Sequence, residues 1–402
     1  MGKACKIQPA FRTNNIEYAI RDIVETSKQA KSLGKDLIYL NIGDPVKYNF
    51  TTHISLIEAA YEAMLKNQNS YSDSVGIPEA ISAIEKYARK KGIEPVNIFI
   101  TQGASEAIEF AIAALINSGE NILLPCPCYP LYQAIISKLG IEPRFYLLKE
   151  EANWEIDIAS IEALIDNKSR AIVIINPNNP TGAVYSRETL TQIVEIAKKY
   201  NLVIFSDEIY DQFILEEGIE HISIASIAKA HPVVTFNGLS KCYFAPGWRV
   251  GWGIISGDRE MLEDYIEAIH KLARARLCAP HPLQYAIPVA LLNDNAYLKE
   301  VIPVLKKRRD LVVEGLNNIP KISCVKPLGA FYAFPKIELP HISDLEFAKR
   351  LILEEGVVVV HGSGFGKKAG SNHFRIIFLP EEPILYEAIN RIERFVKKLC
   401  LA

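Results

Sequence analysis

Two cations stand out between Phe236 and Gly253, in the run FNGLSKCYFAPGWRVGWG: Lys241, and Arg249 eight residues later. Lys241 follows the apolar run HPVVTF and has small residues, Gly238 and Ser240, beside it. That is a poor setting for a solvated surface charge and a good one for a covalent role. An amine with a pKa of ~10.4 is mostly protonated at neutral pH, so a nucleophilic lysine needs desolvation or a neighbouring cation. Arg249 is a candidate for that cation. It is also a candidate clamp for a phosphate, which a planar guanidinium grips with two parallel hydrogen bonds. Taken alone, the stretch has a blander reading as a basic turn between two strands.

Further candidates follow the other apolar runs, where the carboxyl ends of parallel strands would gather ligand chemistry. After NIFIT comes QGASEA, in which Gly103, Ala104 and Ser105 open a helix; its free N–H groups and positive dipole end suit a phosphate, although an ordinary tight turn has the same composition. NPNNPTG follows AIVII and is either a polar turn or a means of presenting Asn179 to an oxygen of a bound ring. DEIY follows LVIFS, and Asp207 and Glu208 are costly to bury there unless one of them pairs with a cation. Tyr129, in the CPCYP that follows NILLP, either stacks on a flat ring or fills the core.

The elements that must position these residues alternate between strand and helix. NIFIT, NILLP, a strand around Arg144 to Leu148, AIVII and LVIFS are separated by helices predicted over Ser105–Ile116, Tyr129–Leu139 and Arg187–Lys199. Short Val/Ile-rich runs between amphipathic helices indicate a parallel sheet covered on both faces. Ser186 sits at a helix N-cap, with Leu190, Ile193, Val194 and Ala197 as the buried stripe behind it. Upstream, Ile20, Ile23, Val24 and Ser27 share a helical face, Gly43 and Pro45 mark a turn, and helices are expected over 54–67 and 78–91, the second with Pro at its first position. Between them lies the polar loop YSDSVG with one aromatic, Tyr71. Downstream, a long helix near 258–275 leads to GAFYAF, GVVVV and FRIIFL, which read as strands, and to a closing helix.

Composition bounds the rest. A chain of 402 residues, 49% hydrophobic, buries a large core and divides into two or three domains by size. A net charge of −2 gives no reason to expect a nucleic-acid or membrane-surface partner. The first fifteen residues lack an apolar core of signal-peptide length, and no window reaches the roughly 18–20 apolar residues that span a bilayer, so a cytoplasmic protein is expected. Seven scattered cysteines form no disulfide framework, and the Cys126/Cys128 pair has no partner pair at zinc-site spacing. No metal is expected.

A phosphate cradle, a reactive lysine, a buried acid and a stacking aromatic together describe a pyridoxal phosphate site. In the order NIGDP, YSDSVG, TQGASEA, PCPCYPLY, NPNNPTG, SDEIY, GLSKCYFAPGWRVGW, GAFYAF and FRIIFL, the chain from Asn41 onward resembles the class I aminotransferases of fold type I. The resemblance implies an α/β fold: a large domain with a mainly parallel, doubly wound sheet, plus a smaller α+β domain. Residues 1–50 would be an N-terminal arm and part of the small domain, 51–290 the large cofactor-binding domain and 291–402 the small C-terminal domain. It further implies that Lys241 binds pyridoxal 5'-phosphate covalently and shuttles the substrate proton. Asp207 would pair with the pyridinium, Asn179 and Tyr210 hold the ring's phenolic oxygen, and Tyr129 stack on the ring. Arg249, the backbone of Gly103, Ala104 and Ser105, and Tyr71 from a second subunit would hold the phosphate. Arg375 would grip the substrate carboxylate with Gly43 and Asn179 nearby, in a homodimer with shared active sites. Gly238 departs from the family pattern, in which many members carry serine, and His361 replaces a usual proline; Ser240 is left without a role.

NGLSKCYFAPGWRVGW and RARLCAPHPLQYA are most similar to the alanine aminotransferase group, which implies alanine as donor and 2-oxoglutarate as acceptor in a ping-pong reaction. Aspartate, aromatic or branched-chain transamination, or a β-lyase or decarboxylase reaction, are the enzyme alternatives on this fold. A ligand-sensing domain of a transcription regulator would need a basic recognition helix ahead of Asn41, where no helix-turn-helix pattern is found.

Overall fold

The computed structural model describes residues 7–13, 19–292 and 296–401. Arm residues 1–6 and 14–18, with Cys5 among them, and the side chain of Ile20 lie outside that description.

The β-rich runs assemble into one eight-stranded sheet: β1 (Pro95–Thr101), β2 (Asn121–Cys126), β3 (Glu142–Lys149), β4 (Glu155–Ile156), β5 (Ser169–Ile175), β6 (Val203–Asp207), β7 (Val233–Gly238) and β8 (Gly251–Ser256). Their spatial order is β1-β8-β7-β6-β5-β2-β3-β4. Neighbours β7, β6, β5, β2 and β3 run parallel, as expected. β8 is antiparallel to both β7 and β1, and β4 is antiparallel to β3. The reversal at β8 has a local cause: no α-helix separates it from β7, so the chain turns back instead of crossing over. That turn carries Lys241 and Arg249.

Alternate residues of each strand feed opposite cores. Ile98 and Ile100 of β1, with Ile172 and Ile174 of β5, pack in one cluster; Phe99 and Val173 pack in the other. The first face is covered by α3 (Pro78–Lys90) and α6 (Arg187–Tyr200), the second by α4 (Ala104–Leu115), α5 (Pro130–Leu139) and α7 (Arg259–Arg276). α6 shows what holds such a helix. Ser186 accepts a hydrogen bond from Thr189 N at 3.1 Å, and Leu190, Ile193, Val194 and Ala197 are buried as expected. A cap contributes about 1 kcal/mol, whereas each buried aliphatic side chain contributes up to ~1.5–3 kcal/mol, so burial dominates.

Earlier in the chain lie α1 (Ala19–Ser32) and α2 (Ile54–Leu65); later come α8 (Ala296–Asn317), α9 (Asp344–Glu355) and α10 (Glu382–Leu401). The strands expected near the C-terminus are short. β9 (Tyr332–Ala333), β10 (Val360–His361) and β11 (Phe374–Ile377) form an antiparallel sheet with β11 in the middle. Ile38–Tyr39 pairs in parallel with Val357–Val358 and so ties the N-terminal segment to this region. Among the described residues, no helix is long and apolar enough to cross a membrane. The six described cysteines are all free thiols.

Candidate active site

The carboxyl ends of β5, β6 and β7 open onto a cavity of about 270 Å³ that also meets β11 and the turn at Gly43. Gly43, Ala104, Ser105, Tyr129, Asn179, Asp207, Tyr210, Lys241, Arg249 and Arg375 all line it, drawn from a sequence span of more than 300 residues. Gly103 stands at its edge, against the Arg249 guanidinium. Tyr71 does not line it; that side chain is 78% exposed on the surface of the same chain.

Each group is aimed by its local structure. In DEIY, the end of β6 sends alternate side chains to opposite sides. Glu208 points away and is buried, with its Oε1 accepting from Ser206 Oγ at 2.9 Å and Ser223 Oγ at 2.7 Å, and with His221 Nε2 3.7 Å from its Oε2. Asp207 faces the cavity, where it accepts from Tyr132 Oη and from Ile209 N, each at 3.3 Å. Burial drives its carboxyl up to about 6, against the opposing pull of these two donors and of Lys241. The asparagines of NPNNPTG divide the work likewise. Asn176 Oδ1 accepts from Tyr185 N, and Asn178 Oδ1 accepts from Thr181 N and Thr181 Oγ1, which braces the turn. Asn179 is left to enter the cavity.

Lys241 Nζ donates to Gly43 O at 2.6 Å. Arg249 has left-handed backbone, φ 53°, an uncommon conformation for a residue with a Cβ. Its Nη1 donates to Pro246 O at 3.0 Å and to Ser240 Oγ at 3.4 Å, and its Nη2 to Gln102 O at 3.4 Å, beside the N-terminus of α4. This accounts for Gly238. A Cβ there would lie 2.7 Å from Val250 O and 2.9 Å from Gly251 Cα on β8, so the close pairing of β7 with β8 leaves no room for the family's serine. Ser240, two residues on, lines the cavity.

Arg375 is 2% exposed. Its Nη1 donates to Asn179 Oδ1 at 3.1 Å and its Nη2 to Asn41 O at 2.8 Å, while the rings of Tyr332 and Phe365 lie 4.5 and 4.9 Å from the guanidinium carbon. No carboxylate among the described residues pairs with it, and its Nε has no hydrogen-bond partner. A buried guanidinium without an anion is costly. The cavity therefore offers a lone buried cation and a buried carboxylate, with an amine, a second guanidinium and open helix N–H groups between them. It suits a molecule with a flat ring, a basic nitrogen and a phosphate, together with a carboxylate-bearing partner.

Sequence reasoning missed Tyr332, Tyr132 and Asn41. The period-2 register of β9 and β11 holds the signal for Tyr332: it pairs with Ile377, so Arg375, two residues along on the same face, is its diagonal neighbour. His361, which stands where the family usually has proline, lies outside the cavity with its Nδ1 2.9 Å from Ser363 Oγ.

Residues 35–392 match the model of the family "Aminotransferase class I and II". The chain is 41% identical to the glutamate-pyruvate aminotransferase AlaA of Haemophilus influenzae, over 96% of this chain and 98% of that one. It is 38% identical to the protein of the same name from Escherichia coli K12, over 97% and 98%. The solved alanine aminotransferase from Pyrococcus furiosus superposes with a TM-score of 0.95 at 42% identity, covering 97% of this chain and all of that one. The chain belongs to the class I and II aminotransferases.

Proposed function

We infer that this aminotransferase uses pyridoxal 5'-phosphate to move the amino group of alanine to 2-oxoglutarate, in two half-reactions at one site. The observation that carries the reading is the unpaired Arg375 guanidinium facing Lys241 and Asp207 across one cavity. Bound there, the cofactor supplies an electron sink for the bonds of the substrate α-carbon.

The residues present fit that group. Asp207 pairs with the protonated ring nitrogen, which gives the buried carboxylate its counter-charge. Asn179 and Tyr210 donate to the phenolic oxygen, and Tyr129 stacks on the ring. Arg249 and the N–H groups of Ala104 and Ser105, with Gly103 as the N-cap, hold the phosphate. Lys241 Nζ would hold the cofactor covalently and, as a free amine, would be the base that carries the proton of the substrate α-carbon. Arg375 grips the α-carboxylate through its two-pronged face, beside Gly43.

The substrate preference rests on the lining and on the relatives, which are named for glutamate, pyruvate and alanine. Beyond Lys241, Arg249 and Arg375 the cavity wall has no cation among the described residues, and it includes Ile42, Leu131 and Tyr332. The small uncharged side chain of alanine suits that wall, whereas the choice of glutamate and 2-oxoglutarate as the other pair rests on the relatives' names.

A homodimer completes the site in this reading. α2 is apolar on its outer side as well: Ile54, Ile57, Tyr61 and Leu65 are all exposed at helical spacing, with Tyr71 beyond. A second copy packed there would bring Tyr71 to the partner's phosphate. Pairing of Ile38–Tyr39 with Val357–Val358 supports grouping 1–50 with 291–402 as a small domain beside a cofactor-binding body of 51–290. Free thiols suit a reducing, cytoplasmic setting.

Half-reactions with a panel of amino acids, followed by the change in cofactor absorbance, test the substrate. Alanine and glutamate should convert the bound cofactor rapidly and aspartate slowly. Conversion by aspartate as fast as by alanine would refute the assignment.

A further inference from the structure

Tyr332, on β9, touches three of the groups to which roles have been given. Its ring lies against the Arg375 guanidinium at 4.5 Å, and its hydroxyl is 2.8 Å from the hydroxyl of Tyr210. The same hydroxyl sits so close to Gly43 that a Cβ on that residue would collide with it. The phenol is 2% exposed, and Tyr210 is its one hydrogen-bond partner among the described residues.

The two hydroxyls share one hydrogen bond, and either can donate. A phenol carries a single proton. When Tyr210 spends that proton on the phenolic oxygen of a bound ring, its own oxygen can only accept, and Tyr332 is the neighbour placed to donate. The order is then fixed: Tyr332 O–H to Tyr210 O, and Tyr210 O–H to the ring oxygen. Serial hydrogen bonds between buried groups polarise one another, so the outer donor strengthens the inner one.

We propose that Tyr332 is a positioning residue whose hydroxyl turns the Tyr210 proton toward the phenolic oxygen of pyridoxal phosphate and helps to stabilise that oxygen as an anion. Burial first, and then the adjacent Tyr332, raise the Tyr210 phenol well above its usual range, so Tyr210 keeps its proton throughout the working pH range. The inference rests on the pyridoxal phosphate reading above.

The test uses Tyr332→Phe, Tyr210→Phe and the double variant, each loaded with pyridoxal phosphate and titrated between pH 5 and 9 by the absorbance of the bound cofactor. Stabilising the anionic oxygen lowers the pH at which the cofactor–lysine linkage takes up its proton. Loss of the Tyr332 hydroxyl should therefore raise the titration midpoint by roughly 0.5 pH unit, about threefold in proton affinity, and Tyr210→Phe should raise it further. In the Tyr210→Phe background, Tyr332→Phe should add nothing, because the path runs through the Tyr210 oxygen. Phenylalanine keeps the ring on Arg375, so KM for alanine should stay within about twofold while kcat falls, and the cofactor-free variant should unfold within a few degrees of wild type. An unchanged midpoint in Tyr332→Phe, or the same shift in both backgrounds, overturns the proposal. Failure of the cofactor reading looks different: wild-type protein would show no titrating band linked to Lys241, which overturns both.

Discussion

Replacing Asp207 by asparagine should stabilise the cofactor-free protein while weakening its hold on the cofactor. The carboxyl is buried at the end of β6 with no cation in ion-pair contact among the described residues, and burial raises its pKa from the ordinary 3.8 to about 6. A carboxyl with a raised folded pKa binds its proton more tightly in the native state, so it penalises folding once both states are ionised and is neutral below the lower value. The penalty is absent under pH ~4, grows between 4 and 6, and is fully present above. A gap of about 2 pH units corresponds to roughly 3 kcal/mol at pH 7, and about half of that at pH 5. Asparagine keeps an acceptor for Tyr132 Oη or Ile209 N and removes the charge. Denaturant unfolding of the cofactor-free variant at pH 7 should thus show a gain of up to about 3 kcal/mol over wild type, shrinking as the pH falls toward 5. Cofactor affinity should change in the opposite direction, because the ring nitrogen loses its counter-charge. A cofactor-free variant less stable than wild type at pH 7, or a gap that does not vary with pH, would refute this account of Asp207.

Arg375→Lys keeps the charge but loses the forked geometry, so kcat/KM for alanine should fall about 30–100-fold, on the order of 2–3 kcal/mol, while cofactor affinity stays within about twofold; steady-state kinetics alongside cofactor titration check this. A loss confined to cofactor affinity would move Arg375 out of the substrate site. Tyr71→Phe should weaken cofactor retention, measured by dialysis, and mixing it with Lys241→Ala under subunit exchange should give activity above either parent. One site of each mixed dimer then carries both lesions and the other carries neither. Confirmed exchange without any gain would leave Tyr71 as a surface residue.

The sheet was legible because its strands are short Val/Ile-rich runs and its ligand residues follow within five positions: Asp207 directly after LVIFS, Asn179 four residues beyond AIVII, and Lys241 five residues beyond PVVTF. β8 was not, because VGWGIIS looks like any apolar run and only its pairing with β7 and β1 reveals that the chain reverses. The choice between Asp207 and Glu208 is a matter of which side of the strand each faces, and sequence gives the alternation without the sign. Tyr332 has no sequence signal beyond its place in a strand, since an aromatic in GAFYAF is indistinguishable from core packing until Tyr210, 122 residues away, is seen to hydrogen-bond with it. Tyr71 illustrates the converse, since one chain's structure leaves it exposed and its expected role depends on a second copy.

The central claim is that Lys241 is the residue that holds the cofactor. Borohydride reduction of the holoenzyme converts the linkage to a stable amine, and peptide mapping then locates it. The label should fall on the peptide containing Lys241 alone and vanish in Lys241→Ala, a variant that should still bind the cofactor reversibly through Asp207, Arg249 and the N-terminus of α4. A label on another lysine, or none on wild-type protein that retains bound cofactor, would contradict the account.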